Sequence, residues 1–348
     1  MPVIDVHAHM FPQSGIKAWK EGREWFGATI EKGETGPATI RQGKLETKYS
    51  RTEFWVPYRE RIPFMDKNGI DVQTLSLNPQ MIRDEWEPKS TIEFSKSVND
   101  ELSEAVAENP DRFEGLANLP LQDTDASVRE LNRAMTELGL KGFLVASHVG
   151  GRRWDDPGLF PVLEEAERTG AFILIHPFNN RVASMGLMPR YHMINLIGNP
   201  METTVAAASL ILGGVMDRLP KLKVCLSHAG GYLPFAAGRF DHAFGARKDV
   251  SDKATRLPSD YLRAFYYDCI SHSDAGLEFV IEQVGVDRIL VGTDFPADMG
   301  LERPAEWLAG LDYLTAADRT KIESENALRL GFGQHGLGKQ SRRTAVAS

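Results

Sequence analysis

The chain has 348 residues, 42% of them hydrophobic and 25% charged, with a formal net charge of −8. That length suits one large α/β barrel or two ordinary domains. The negative charge excludes the basic face that a nucleic-acid partner requires. Two cysteines, Cys225 and Cys269, exclude a disulfide framework and fit a reducing cytoplasm. No secretory signal pattern is visible, and no apolar run approaches the ~18 residues of a membrane span.

The first predicted element is Val3-Ile4-Asp5-Val6, a short buried strand that runs into His7-Ala8-His9. Side chains two apart on a strand point the same way, so His7 and His9 present two imidazoles at a spacing that can chelate one metal ion. Residues 10–58 follow as a long, poorly periodic insertion with Trp19, Trp25, Phe26, Arg51 and Trp55. A helix ending near Asn68-Gly69, where glycine suits the cap, leads to the strand Val72–Leu77. A helix over Thr91–Glu108 leads to Phe113–Leu119, and one over Asp125–Leu138 leads to Gly142–Val145. A helix over Leu159–Thr169 precedes the apolar run Ala171–Ile175, which ends on His176.

A second insertion, 177–203, carries Met185, Met188, Tyr191, His192 and Met193 and reads as a flexible lid. A helical region over Val205–Leu219 leads to Val224–Ser227 and His228. The seventh strand is Ala264–Asp268. The eighth is Ile289–Thr293, which delivers Asp294. Gln334–Ser348 is polar and reads as a disordered tail, so one domain over 1–332 is expected, with 333–348 outside it.

Eight strands with helical crossovers are what a (β/α)₈ TIM barrel requires, and its active site lies at the C-terminal strand ends. His7, His9, His176, His228 and Asp294 all fall at such ends. The competing arrangement, an open doubly wound sheet, lacks its Gly-rich phosphate loop. These five strand-end groups are potential ligands or proton carriers: imidazoles with a carboxylate suit zinc, with manganese also compatible, and a histidine beside a metal-bound water can take its proton near neutral pH.

These motifs resemble the amidohydrolase superfamily, in the branch around 2-amino-3-carboxymuconate-6-semialdehyde decarboxylase. The likeness rests on His7-Ala8-His9 with Phe11-Pro12, His176-Pro177, Ser227-His228-Ala229-Gly230-Gly231 and Gly292-Thr293-Asp294-Phe295-Pro296. It extends to Pro120–Asp123, Pro200–Thr203 and Gly238–Asp241, and covers about residues 2–332. The resemblance implies a distorted barrel with one zinc held by His7, His9, His176 and Asp294, and His228 as acid/base. It implies a non-oxidative decarboxylase of a small aromatic or unsaturated carboxylic acid, muconate-, hydroxybenzoate- or picolinate-like. The alternative on the same scaffold is a metal-dependent hydrolase or hydratase of aromatic-degradation intermediates.

Arg51 falls in the stretch that carries a substrate-carboxylate arginine in the branch. Arg239 matches a second, which reaches into the neighbouring subunit's site and implies a homodimer. Tyr191 stands where the branch has a tryptophan near the substrate. His272 follows the seventh strand, where the branch has no histidine. Lys141 precedes its strand rather than ending it, which favours one metal over a lysine-bridged pair. His148 and His192 can be site walls or packing groups, and His242 and His335 read as solvent-facing.

Overall fold

The computed structural model describes residues 1–32, 38–42, 45–49, 56–83, 86–177 and 185–334. Arg51, Trp55, His335, most of the expected tail and the start of the 177–203 segment lie outside the described residues. The strands in chain order are β1 (Ile4–Met10), β2 (Ala28–Lys32), β3 (Ala38–Gln42), β4 (Leu45–Tyr49), β5 (Val72–Leu77), β6 (Phe113–Leu116), β7 (Gly142–Ala146), β8 (Phe172–His176), β9 (Lys223–Leu226), β10 (Tyr266–Asp268) and β11 (Ile289–Leu290).

β1, β5 and β6 form one parallel run, and β7 to β11 form another. Backbone hydrogen bonds join the two runs on both sides. Ala117 N donates to Gly142 O (2.8 Å) between β6 and β7, and Val6 N donates to Val291 O (3.0 Å) between β11 and β1. The strands β1, β5, β6, β7, β8, β9, β10 and β11 therefore close into the expected (β/α)₈ barrel.

Local sequence explains the helices that separate them. Pro88 opens the helix Pro88–Glu108, where the missing N–H does no harm, and the Glu87 side chain accepts Ser90 N (3.2 Å). Asp123 caps Thr124–Thr136, and Ser273 caps Asp274–Val284. The apolar stripes of these helices pack on Phe143, Val145, Ile173 and Ile175. A smaller cluster fills the barrel interior with Ile4, Val6, Leu144, Leu174 and Leu290 over Phe332.

β1 carries an irregularity that matters for the site. Asp5 faces Gln73, but Ala8 faces Leu75, so one residue of β1 is left over opposite β5. An extra residue of this kind re-aims the side chains that follow it. Ile4 and Val6 pack in the interior cluster, and beyond the shift it is His7 and His9 that gather with His176. The amide of His7, displaced from the ladder, donates to the Asp5 carboxylate (3.1 Å). Asp5 also accepts Gln73 Nε2 (3.0 Å), Thr293 N (3.1 Å) and Thr293 Oγ1 (2.6 Å). Burial pushes this carboxyl up to about 6.

Two expectations are corrected. The insertion over 10–58 is not irregular throughout: it holds the helix Gln13–Lys20 and the antiparallel sheet β2-β3-β4. β2 and β3 do alternate, with Ala28 and Ile40 buried and Thr29, Glu31 and Arg41 exposed, but each is only five residues long, too short a pattern to stand out. Trp19 and Trp25 are buried and anchor the insertion, with the Trp25 ring 5.3 Å from Phe94. The lid also ends early. A π-helical turn over Ile194–Gly198 runs into the helix Asn199–Leu212, so residues 199–203 are helical.

At Gly142 a Cβ would lie 1.9 Å from the carbonyl oxygen of Phe172 on the paired strand. Backbone on both sides leaves no room to yield. Gly142→Ala should destabilise the fold by at least about 3 kcal/mol, measured as a lowered denaturation midpoint or loss of soluble protein.

Candidate active site and metal centre

Each expected ligand sits at a C-terminal strand end. His7 and His9 lie on β1, His176 closes β8, His228 follows β9 and Asp294 follows β11. Four of them converge: His7, His9, His176 and Asp294 are buried, and one ligand atom from each lies within 4.8 Å of all the others. Asp294 Oδ1 is 2.9 Å from His9 Nε2, 3.3 Å from His7 Nε2 and 3.6 Å from His176 Nε2. Its other oxygen, Oδ2, lies 3.6 Å from His228 Nε2.

The opposite ring nitrogens decide the tautomers. His176 Nδ1 lies 2.8 Å from the carbonyl of Pro177, which can only accept, so Nδ1 carries the proton. The Ser76 hydroxyl donates to Ala8 O (2.8 Å), so His9 Nδ1, 3.0 Å away, must donate to it. His7 Nδ1 donates to the Asp268 carboxylate (2.7 Å). In its neutral form each of the three rings thus turns a lone pair on Nε2 toward Asp294. His176 Nε2 is buried without a hydrogen-bond partner, a costly state for a nitrogen lone pair unless a cation meets it. The donor set fits one divalent ion.

The electrostatics agree. Burial penalises the charged ring and lowers His176 to about 3 and His9 to about 4. Burial also acts against charge on His7, but the carboxylates of Asp268 and Asp294 outweigh it and raise the ring to about 10, so a cation at this place would displace the second proton of His7. Asp294 is held well below the carboxylate range: burial opposes this, and the imidazoles of His176, His228, His7 and His9 around it override it. The four groups therefore surround a place that demands positive charge.

Beside Asp294 and His228 opens a cavity of about 350 Å³. Leu196, Phe235, Ile270, Phe279 and Met299 supply apolar wall, and Asn199 and His272 supply polar wall. His228, Ala229, His272 and Asp294 all have left-handed backbone, with φ between 52° and 55°. Such conformations in residues other than glycine concentrate at functional sites.

A family model described as amidohydrolase matches residues 4–330. The chain belongs to the amidohydrolase family. Among its relatives, a 2-amino-3-carboxymuconate-6-semialdehyde decarboxylase of Dictyostelium discoideum is 34% identical over 333 residues, covering 93% of this chain and 90% of that one. A gamma-resorcylate decarboxylase of Rhizobium radiobacter is 32% identical over 287 residues, covering 78% and 85%. Among solved structures, a dihydroxybenzoic acid decarboxylase of Polaromonas sp. JS666, with bound manganese and the inhibitor 2-nitroresorcinol, superposes with a TM-score of 0.77 at 26% identity. It covers 94% of this chain and 96% of its own.

The remaining expected site residues of this amidohydrolase lie as follows. His272 lines the cavity. Tyr191 is 81% exposed and is not among the cavity's lining residues. Arg239 is exposed on the helix Leu233–Ala246, and Asp241 beside it accepts Ser259 N (2.9 Å). Arg51 lies outside the described residues. His148 accepts Gly151 N (3.3 Å), a packing role, and His242 is exposed. Lys141 donates to Gly331 O (2.8 Å), away from the ligands.

Sequence reasoning missed the residues behind the ligands. Asp268 is the chief one: besides His7, it accepts the amides of His228 (2.9 Å) and Ala229 (2.9 Å), fixing two strand ends at once. A carboxylate ending the apolar seventh strand was the available signal. Arg61, fully buried over the Phe295 ring, donates to the carbonyl of His9. Asp268→Asn should lower metal affinity by about 10- to 100-fold, because an amide can turn its NH₂ toward His7 Nδ1 and lose the tautomer. Competition against a chromophoric chelator reads this directly.

Proposed function

We propose that the chain is a metal-dependent, non-oxidative decarboxylase of a small aromatic or unsaturated carboxylic acid. The observation that carries the reading is the convergence of three imidazoles and one carboxylate beside a cavity of about 350 Å³ that Asp294 and His228 line, in a chain whose relatives include decarboxylases. Zinc is our assignment, since three imidazoles and a carboxylate suit it, with manganese the alternative given the ion in the Polaromonas structure. When bound, the ion would polarise the oxygens of the substrate's carboxylate and of a neighbouring substituent.

The chain's own groups then divide the work. Asp294 turns Oδ1 to the three histidines and Oδ2 to His228, so it serves as ligand and as partner of the acid/base. His228 gives a proton to the carbon that bears the carboxylate. The C–H bond forms, the C–C bond to the carboxylate breaks, its electron pair returns to the conjugated system, and CO₂ leaves. The apolar wall keeps bulk water from competing for that proton.

We assign Arg51 and the partner subunit's Arg239 to the substrate carboxylate, His272 to the cavity rim and Tyr191 to the lid. The working unit is a homodimer of a barrel domain over 1–332. Arg239 lies one turn from Phe235, which is 84% exposed, and that apolar face supports a second copy. Two free, buried thiols support a cytoplasmic setting, and no helix of the described residues is long and apolar enough to cross a membrane.

Metal-loaded protein should release CO₂ from hydroxylated benzoates, picolinates or carboxymuconates. Chelation should abolish the release, and zinc or manganese should restore it. Loaded protein inert toward all three classes would sink the reading. His228→Asn should keep the metal stoichiometry yet lower kcat by about 10²- to 10⁴-fold. Sedimentation should give a dimer, and Arg239→Ala should raise KM more than it lowers kcat.

A further inference from the structure

The described lining of the cavity contains no arginine or lysine. Two of its polar side chains are conspicuous for what they leave unbonded. Asn199 is 4% exposed, and its Oδ1 has no hydrogen-bond partner. Its backbone carbonyl accepts Thr203 Oγ1 (3.2 Å), so the main chain is engaged while the side-chain amide is not. His272 stands across the same cavity on the loop after β10, exposed, with φ of 52° and no hydrogen bond or ion pair among the described residues.

An amide buried without partners lowers stability, and a leucine of similar size would fill the position better. Left-handed backbone at a histidine carries a further cost. Neither feature serves the fold. Both side chains lie in the lining that also contains His228 and Asp294.

We infer that Asn199 and His272 form a polar subsite that selects substrates bearing a hydroxyl group beyond those that reach the ion. The chemistry picks the hydroxyl. An asparagine amide can present its oxygen or, after a flip, its NH₂. A hydroxyl donates and accepts, so it satisfies the amide in both orientations, and it can bond either form of a neutral imidazole. An ether or methyl group would leave the buried Oδ1 orphaned. Leu196, Ile270, Phe279 and Met299 take the apolar remainder of the ligand. The inference rests on the decarboxylase reading for where the carboxylate lies, but the selection itself requires no turnover.

The test therefore uses ligands that cannot lose CO₂. 2-Nitrophenol and 2-nitroresorcinol differ by one hydroxyl, and calorimetric titration into metal-loaded protein gives both dissociation constants. The wild type should bind the resorcinol at least about tenfold more tightly. Asn199→Leu should bring the ratio below about threefold. His272→Gly, which suits the left-handed backbone, should reduce it in part. Asn199→Ala repeats the measurement if leucine is not accommodated. Equal affinities in the wild type, an unchanged ratio in the Asn199 variants, or no binding of either ligand would overturn the subsite. Failure of CO₂ release with the discrimination intact would instead count against the decarboxylase reading alone.

Discussion

The site depends on a single leftover residue in β1. If the strand kept its register from Ile4 to Met10, the parity that sends Ile4 and Val6 into the barrel would send His7 and His9 out of it. The shift costs the backbone a ladder position, and the Asp5 carboxylate compensates by accepting the displaced amide. Asp5 also binds Gln73 on β5 and Thr293 just past β11. One buried carboxylate thus ties together the strands on both sides of β1, at the place where the barrel closes. Asp294 comes one residue after Thr293, so the same network positions the ligand from the far end of the chain.

A second level of support fixes orientation. Three imidazoles can coordinate one ion only if each turns the same nitrogen inward, and each outer nitrogen here has a different acceptor: a carboxylate, a hydroxyl whose own proton is committed, and a main-chain carbonyl. None of these acceptors can reverse its role without losing another bond. The tautomers are therefore set by the protein before any ion arrives, and binding need not reorganise the site. Asp268 extends this order to His228 by holding its amide, which couples the acid/base residue to the ligand shell through one side chain.

The parts of this arrangement legible in the sequence are those carried by local pattern. An apolar run that ends in histidine or aspartate is visible at β1, β8, β9 and β11, and the alternation of such runs with amphipathic helices gives the barrel. The groups behind the ligands are not visible in this way. His7 and Asp268 are separated by 261 positions and His9 and Ser76 by 67, so no window of sequence holds both members. The sheet β2-β3-β4 was missed for another reason: its strands are five residues each, so the alternation in β2 and β3 is too short to stand out in a charged stretch. Asn199 was hidden by its place at the start of a helix, where an asparagine is unremarkable.

The two ends of the barrel obey opposite rules. Toward the base, the interior is apolar and closed by Phe332, packed edge-on against Phe172 at 5.0 Å, and Lys141 and Glu114 tie the last helix down. At the mouth, left-handed backbone and an orphaned amide meet in one cavity, and the partnerless His176 nitrogen lies 3.6 Å from Asp294 in its lining. Each of these features lowers stability, and a fold of marginal stability tolerates them only where something else requires them. Their meeting at one place marks the working face independently of any motif. It also separates two kinds of requirement: the histidine nitrogens await a cation, whereas the Asn199 amide awaits a neutral group that hydrogen-bonds, and one cavity must satisfy both at once.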